Sequence, residues 1–257
     1  MHRVRLATVV ALLVAVPSFA QSPRFSVTAG RYAAQFSTDV RVDPLGTQLN
    51  LERDLALRRS RGLNDFSLRW QPLERHELAA SYVSASRDGF AAITREFRFN
   101  DRVYPVNALA TTTFDTKKWE ATYTYWLTKN FGVMLGGAGL SIDASVTART
   151  TNLALTITQR AKTSVPVALG GAQARFAFSP RIIGEVSAAA LPRVKIDVYS
   201  GRAMSANARL EFRVARNVGI GAAYNYFNID GTITDPGFGG RLKMTAKGAE
   251  AFVRLAF

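Results

Sequence analysis

The chain has 257 residues, 47% of them hydrophobic, with Lys+Arg 33 against Asp+Glu 19 and a formal net charge of +14. It contains no cysteine, which excludes a disulfide framework and any thiolate metal site, and its length allows one large domain or two small ones. The basic balance suits a polyanion, and for an exported chain that is the phosphate of a membrane surface before it is nucleic acid.

Residues 1–20 read as a secretory signal. Arg3 and Arg5 form a positive start, Leu6 to Val16 is an unbroken apolar run, and Pro17 interrupts it. Ser18-Phe19-Ala20 then offers small residues where a signal peptidase reads, placing cleavage before Gln21. The apolar run is shorter than the roughly 20 residues of a spanning helix. Residues 21–257 are expected to form one domain, and loss of the two arginines takes the charge from +14 to +12.

Beyond Gln21 no helical periodicity is evident. Apolar residues instead alternate with period two in segments of about ten residues, the pattern of a membrane-barrel strand. Phe66, Leu68 and Trp70 alternate with Asp65, Ser67 and Arg69. Trp119, Ala121, Tyr123, Tyr125 and Leu127 alternate with Lys118, Glu120, Thr122 and Thr124. Leu210, Phe212 and Val214, and then Val218, Ile220, Ala222 and Tyr224, continue the same rhythm. Strands are expected near 25–36, 64–71, 76–86, 117–127, 131–142, 165–178, 181–191, 205–214, 218–227 and 247–257, with eight or twelve as alternative counts. Alternation fades at Gly30-Arg31, which suggests a bulge or a strand end. Tight turns such as Thr128-Lys129-Asn130 and Ser179-Pro180 alternate with long polar loops near 43–62, 87–113, 146–163, 192–204 and 228–244. Short turns at one end and long loops at the other describe an all-β, antiparallel up-and-down transmembrane barrel of about ten strands. A soluble β-sandwich shares the period and is the competing reading.

With the apolar faces toward lipid, the opposite faces line the lumen. They carry Asp65, Glu77, Glu120, Glu185, Glu211 and Glu250 against Arg69, Lys118, Arg175, Arg209, Arg213 and Arg254, a set balanced enough to pair inside a low-dielectric interior. Tyr82, Tyr123, Tyr125, Tyr224 and Tyr226 are placed toward the loop ends of their strands, and Phe131, Phe178, Phe212 and Phe257 toward the turn ends, as two aromatic girdles.

The last strand sets Ala249, Ala251, Val253, Leu255 and Phe257 on one face. Its aromatic end resembles the terminal strand recognised by the barrel-assembly machinery, with Val253, Leu255 and Phe257 as the assembly signal. Together with the signal peptide and the strand layout, the chain resembles the small outer-membrane β-barrel proteins of Gram-negative Proteobacteria. That resemblance implies a location in the cell outer membrane and partners in outer-membrane lipid, lipopolysaccharide and the assembly machinery. A monomer is expected, with no nucleic acid bound.

Catalytic chemistry is not legible. Barrel hydrolases and proteases need a histidine to move protons near neutral pH, and the expected mature chain has only His76, beside a short turn. No cofactor or metal site is expected. The loops concentrate positive charge at Arg53, Arg58, Arg59 and Arg61, at Arg95, Arg98 and Arg102, and at Arg193, Lys195 and Arg202, and guanidinium forks suit phosphate. The expected function is a non-enzymatic barrel, structural or a narrow solute conduit with a charge-paired lumen. The alternatives are a transporter for a small apolar or anionic solute, and surface adhesion or ligand binding through the basic loops.

Overall fold

The computed structural model describes residues 24–42, 48–94, 96–99, 102–149, 156–196, 199–235 and 238–257. The signal-peptide segment 1–20, the cleavage site and Arg95 lie outside the described residues. Ten long strands follow one another in the chain: β1 Phe25–Val42, β2 Ser60–Leu73, β3 His76–Ala92, β4 Leu109–Trp126, β5 Phe131–Arg149, β6 Thr156–Ala177, β7 Ile182–Ile196, β8 Tyr199–Arg213, β9 Val218–Asp235 and β10 Phe238–Ala256. Each pairs antiparallel with its neighbours, and β10 returns to β1 from Ser26↔Ala256 to Val42↔Gly240, so the sheet closes and no long edge remains.

Closure is completed by the ends of the described chain. Phe257 N–H donates to Phe25 O at 2.8 Å, Phe25 N–H donates back at 3.2 Å, and the two rings lie 6.2 Å apart. Val253, Leu255 and Phe257 all face outward and are exposed. The short turns are held by their own side chains. Thr128 Oγ1 accepts from the N–H groups of Asn130 and Phe131, and Ser179 Oγ accepts from those of Arg181 and Ile182.

Outward apolar rows run from the turn end to a polar boundary marked by Arg31, Asn64, Ser84, Lys117, Arg202 and Lys247. Phe66, Leu68, Trp70, Leu135, Leu210, Ile220 and Val253 are among the exposed apolar residues below it, as a lipid-facing band requires. Beyond this boundary the strands do not stop. Most of the described residues in the segments expected as loops near 87–113, 146–163, 192–204 and 228–244 are strand. The ladder needs only backbone partners, and it continues where the outer face meets water instead of lipid.

The side chains keep their inward and outward alternation, but the apolar residues switch from the outer to the inner face at the same level. On β9 Ile220 and Tyr224 face out, but Phe227 and Ile229 face in and are buried. On β5 Val133 and Leu135 face out, and Leu140, Ile142 and Val146 face in. Thus the barrel is apolar outside and polar inside near the turns, and the reverse above the boundary. Two further expectations are corrected. No bulge occurs at Gly30-Arg31, where pairing with β2 and β10 is continuous. A Cβ at Gly30 would run into the carboxylate end of the Glu250 side chain, which would have to shift to admit it. Tyr123 and Tyr125 belong to the turn end, because β4 descends and sets them opposite Leu78 and His76.

The first long loop is also not a polar excursion. Leu49–Asn50 pairs with β1, and a one-turn helix α1, Leu51–Asp54, follows it. Asn50 caps that helix by accepting from Arg53 N–H, while Asn50 N–H donates to Asp54. Leu49, Leu51, Leu55 and Leu57 are buried in one cluster with Phe114, Leu140 and Ile142, so this loop plugs the upper barrel. In the second loop Phe97–Phe99 pairs with Arg102–Tyr104 as a short hairpin, and Tyr104 is fully buried in the same cluster.

Candidate functional site

The candidate site is the lumen, read from the turn end upward. At the lowest level four of the expected charged residues meet. Arg69 on β2 donates through both terminal nitrogens to Glu185 on β7, at 2.7 and 2.6 Å. Its Nε lies 3.1 Å from Glu77 on β3. Arg175 on β6 donates to Glu77 at 2.9 Å and to Glu185 at 3.4 Å, and it stacks over the Trp126 ring at 4.4 Å. In a ring of ten strands β2 and β7 are opposite walls, so the Arg69–Glu185 fork crosses the lumen. Glu77 is only 1% exposed, and both of its partners there are arginines.

Arg254 donates to Glu211 at 2.7 Å in a second buried pair, and Arg209 lies over Phe252 at 4.3 Å. Arg213 sits at the turn-end mouth and belongs to none of these pairs. One level higher a cavity of about 230 Å³ is lined by Asp65, Lys118, Glu120, Asn207, Asn225 and Glu250, together with apolar residues such as Phe36, Leu140 and Phe227. Lys118 pairs with Glu120 at 2.7 Å, and Glu250 accepts from Asn225 at 2.6 Å. Alternation alone placed these charges on one face. It could not say which would meet, since Arg69 and Glu185 are 116 residues apart.

A third set was not anticipated. Arg87 on β3 has no exposed surface. It donates to Glu52 Oε1 at 2.6 Å and to Thr38 Oγ1 at 3.0 Å, while Thr38 N–H donates to Glu52 Oε2 at 2.7 Å. The guanidinium also lies 4.2 Å from the Phe36 ring and 5.0 Å from that of Phe114. This buried ion pair ties the helix of the plug to the barrel wall. The available signal was that Ala85, Arg87 and Gly89 keep the inward phase of β3 beyond its expected end.

Outside the barrel, just above the apolar band, Asp230 is buried beneath three arginines. Arg241 reaches it at 3.1 Å, Arg202 at 3.5 Å and Arg193 at 3.8 Å. Of the other basic loop residues, Arg58 and Arg61 share Asp88, and Arg53 holds Asp54. His76, the one histidine among the described residues, is hydrogen-bonded through Nδ1 to Tyr123 Oη at 2.7 Å at the turn end. No group of His, Cys, Asp and Glu among the described residues is arranged to hold a metal.

The geometry defines a closed ten-strand antiparallel β-barrel of the outer-membrane type. No protein-family model matches the chain, and no curated protein matches it. Among solved structures it is similar to the outer membrane protease OmpT of Escherichia coli, at 10% identity over 91% of this chain and 96% of that one, with a TM-score of 0.58. The toluene transporter TodX of Pseudomonas putida (8% identity, 93% and 91% covered, TM-score 0.31) superposes far less well. So does the attachment invasion locus protein Ail of Yersinia pestis (11%, 90% and 99%, 0.30). At 10% identity what is shared with the protease is the fold.

Proposed function

We propose that this chain is a non-enzymatic barrel of the outer membrane whose lumen is a gated, narrow solute chamber, closed toward the turn end. The observation that carries this reading is the fork from Arg69 to Glu185, which joins opposite walls and is braced by Glu77 and Arg175. Ions entering such a layer must displace paired charges, which breaks interactions worth several kcal/mol. The exposed C-terminal Phe257 strand supports delivery by the barrel-assembly machinery, and the ladder that closes β10 on β1 without help from another chain supports a monomer.

Planar-bilayer recording on the purified barrel tests the seal. The unaltered protein is expected to show at most rare, small events, and the double variant Arg69→Ala/Arg175→Ala steady conductance. A wide, steady channel in the unaltered protein would refute the seal. Equal traces from a folded double variant would show that the barrier lies elsewhere.

The outer wall supports a second role. Three arginines around one carboxylate leave net positive charge beside the upper edge of the lipid-facing band, the level of outer-leaflet phosphates. On this reading lipopolysaccharide packs against β7 to β10. Its addition to barrels in phosphatidylethanolamine nanodiscs should raise the melting temperature, and Arg202→Ala/Arg241→Ala should abolish the rise. An undiminished rise in that variant would remove Asp230 and its arginines from the contact.

A further inference from the structure

Above the charged layers a cavity of about 220 Å³ opens in the upper lumen. Its wall includes Phe114 on β4, Ile142 on β5, Val165 and Val167 on β6, Leu191 on β7 and Ile229 on β9. Phe114, Ile142, Val167 and Ile229 are buried, while the lining also includes the exposed Pro166, Ala168, Arg202 and Arg241. The neighbouring Arg202 and Arg241 spend their guanidinium groups on Asp230 outside the wall.

Protein interiors normally fill such a space with side chains, and an empty apolar cavity forfeits the dispersion contacts of its lining. Water is a poor filler. It needs two to four polar partners, and although Thr163, Ser200 and Thr232 also border the cavity, its surface is almost wholly apolar. Nor can the cavity shrink easily, because its walls are ladders closed around a ring.

We infer that this chamber is a binding site for a small, uncharged, apolar molecule, aromatic or short-chain. Engineered apolar cavities of about 150 Å³ hold benzene, so in proportion this one suits roughly nine carbon atoms. A charged occupant would lose most of its hydration against an almost wholly apolar surface. The plug residues Leu49, Leu51, Leu55 and Leu57 share a buried cluster with Phe114, Ile142 and Ile229, so the plug packs beside the chamber. Below, the charged layers turn an apolar molecule back, so the chamber is a holding site rather than a passage.

This inference names the ligand class for the solute chamber proposed above, but it does not depend on conductance. The test is ¹⁹F NMR of hexafluorobenzene with the full barrel in detergent-free lipid nanodiscs, against empty nanodiscs. Expected is a saturable component of one probe per barrel, displaced by toluene. Ala203→Trp, which sets an indole into the cavity, should weaken binding at least about tenfold. Heat-dependent gel migration shows whether that variant folds, and Ala161→Phe on a different strand provides a second filling. Probe uptake equal to that of empty nanodiscs overturns the site. So does saturable binding that persists in either folded variant.

Discussion

Removing the Glu52 carboxylate should release the plug while leaving the barrel intact. In Glu52→Ala the fully buried Arg87 loses the one counter-charge it has among the described residues, and the Thr38 N–H loses its acceptor. An uncompensated buried charge costs about 3–5 kcal/mol, and an orphaned buried donor a further ~1–3 kcal/mol. The plug has little in reserve. Its four buried leucines contribute roughly 6–12 kcal/mol at about 1.5–3 each, while ordering about nine residues of backbone opposes with roughly 9–18 kcal/mol. The ion pair and caps therefore decide whether the loop sits inside, and their loss favours opening by about 4 kcal/mol, near a thousandfold in population. Because the chain has no cysteine, Leu55→Cys gives a single reporter at a buried position. In nanodiscs its reaction with a water-soluble maleimide should be slow alone and faster by two to three orders of magnitude, on the order of that shift, with Glu52→Ala. Glu52→Leu/Arg87→Met replaces both charges by apolar groups and should restore protection. Unchanged protection in Glu52→Ala would refute the latch.

Four further outcomes follow from single positions. Gly89→Val should expel the plug as well, because a Cβ there would lie 2.5 Å from Leu55 O; the same labelling assay reads it. Ala56 has φ of 50°, so Ala56→Gly should relieve backbone strain and slow hydrogen exchange across 51–57, corresponding to about 0.5–1 kcal/mol. Leu135→Arg, in the lipid-facing band, should destabilise the barrel by about 2–4 kcal/mol in urea unfolding from lipid, and Ser141→Arg, at the boundary, by at most about 1 kcal/mol. Glu77→Ala should cost about 3 kcal/mol in the same assay, since it deprives Arg69 and Arg175 of a shared partner.

The likeness to a protease fold does not bring a protease site into view. Barrel hydrolases and proteases need a histidine, and His76, the one histidine among the described residues, stands at the turn end against Tyr123 and Tyr125. A fold hosts many chemistries, and the side chains of the site decide among them.

Sequence by itself determined what one strand and its two flanks can determine. Period two showed which side chains share a face, and turn residues such as Thr128 and Ser179 showed where the chain reverses. The apolar rows gave about ten strands, with the choice among eight, ten and twelve left to the structure. It also put Asp65, Arg69, Glu77 and their companions on the face opposite lipid. What it did not show was where the apolar residues switch faces. In lipid the apolar face must point out, but above the membrane water is outside and the same ladder hides Phe227, Ile229, Ile142 and Val146 within. A polar outer face made those segments look like loops. Only closure of the barrel brought Arg69 to Glu185 and Glu52 to Arg87, because meetings across a ring depend on stagger and diameter, which no local pattern encodes. The upper chamber is likewise a product of closure: six ordinary apolar side chains on five strands become a cavity only when the ring holds them apart.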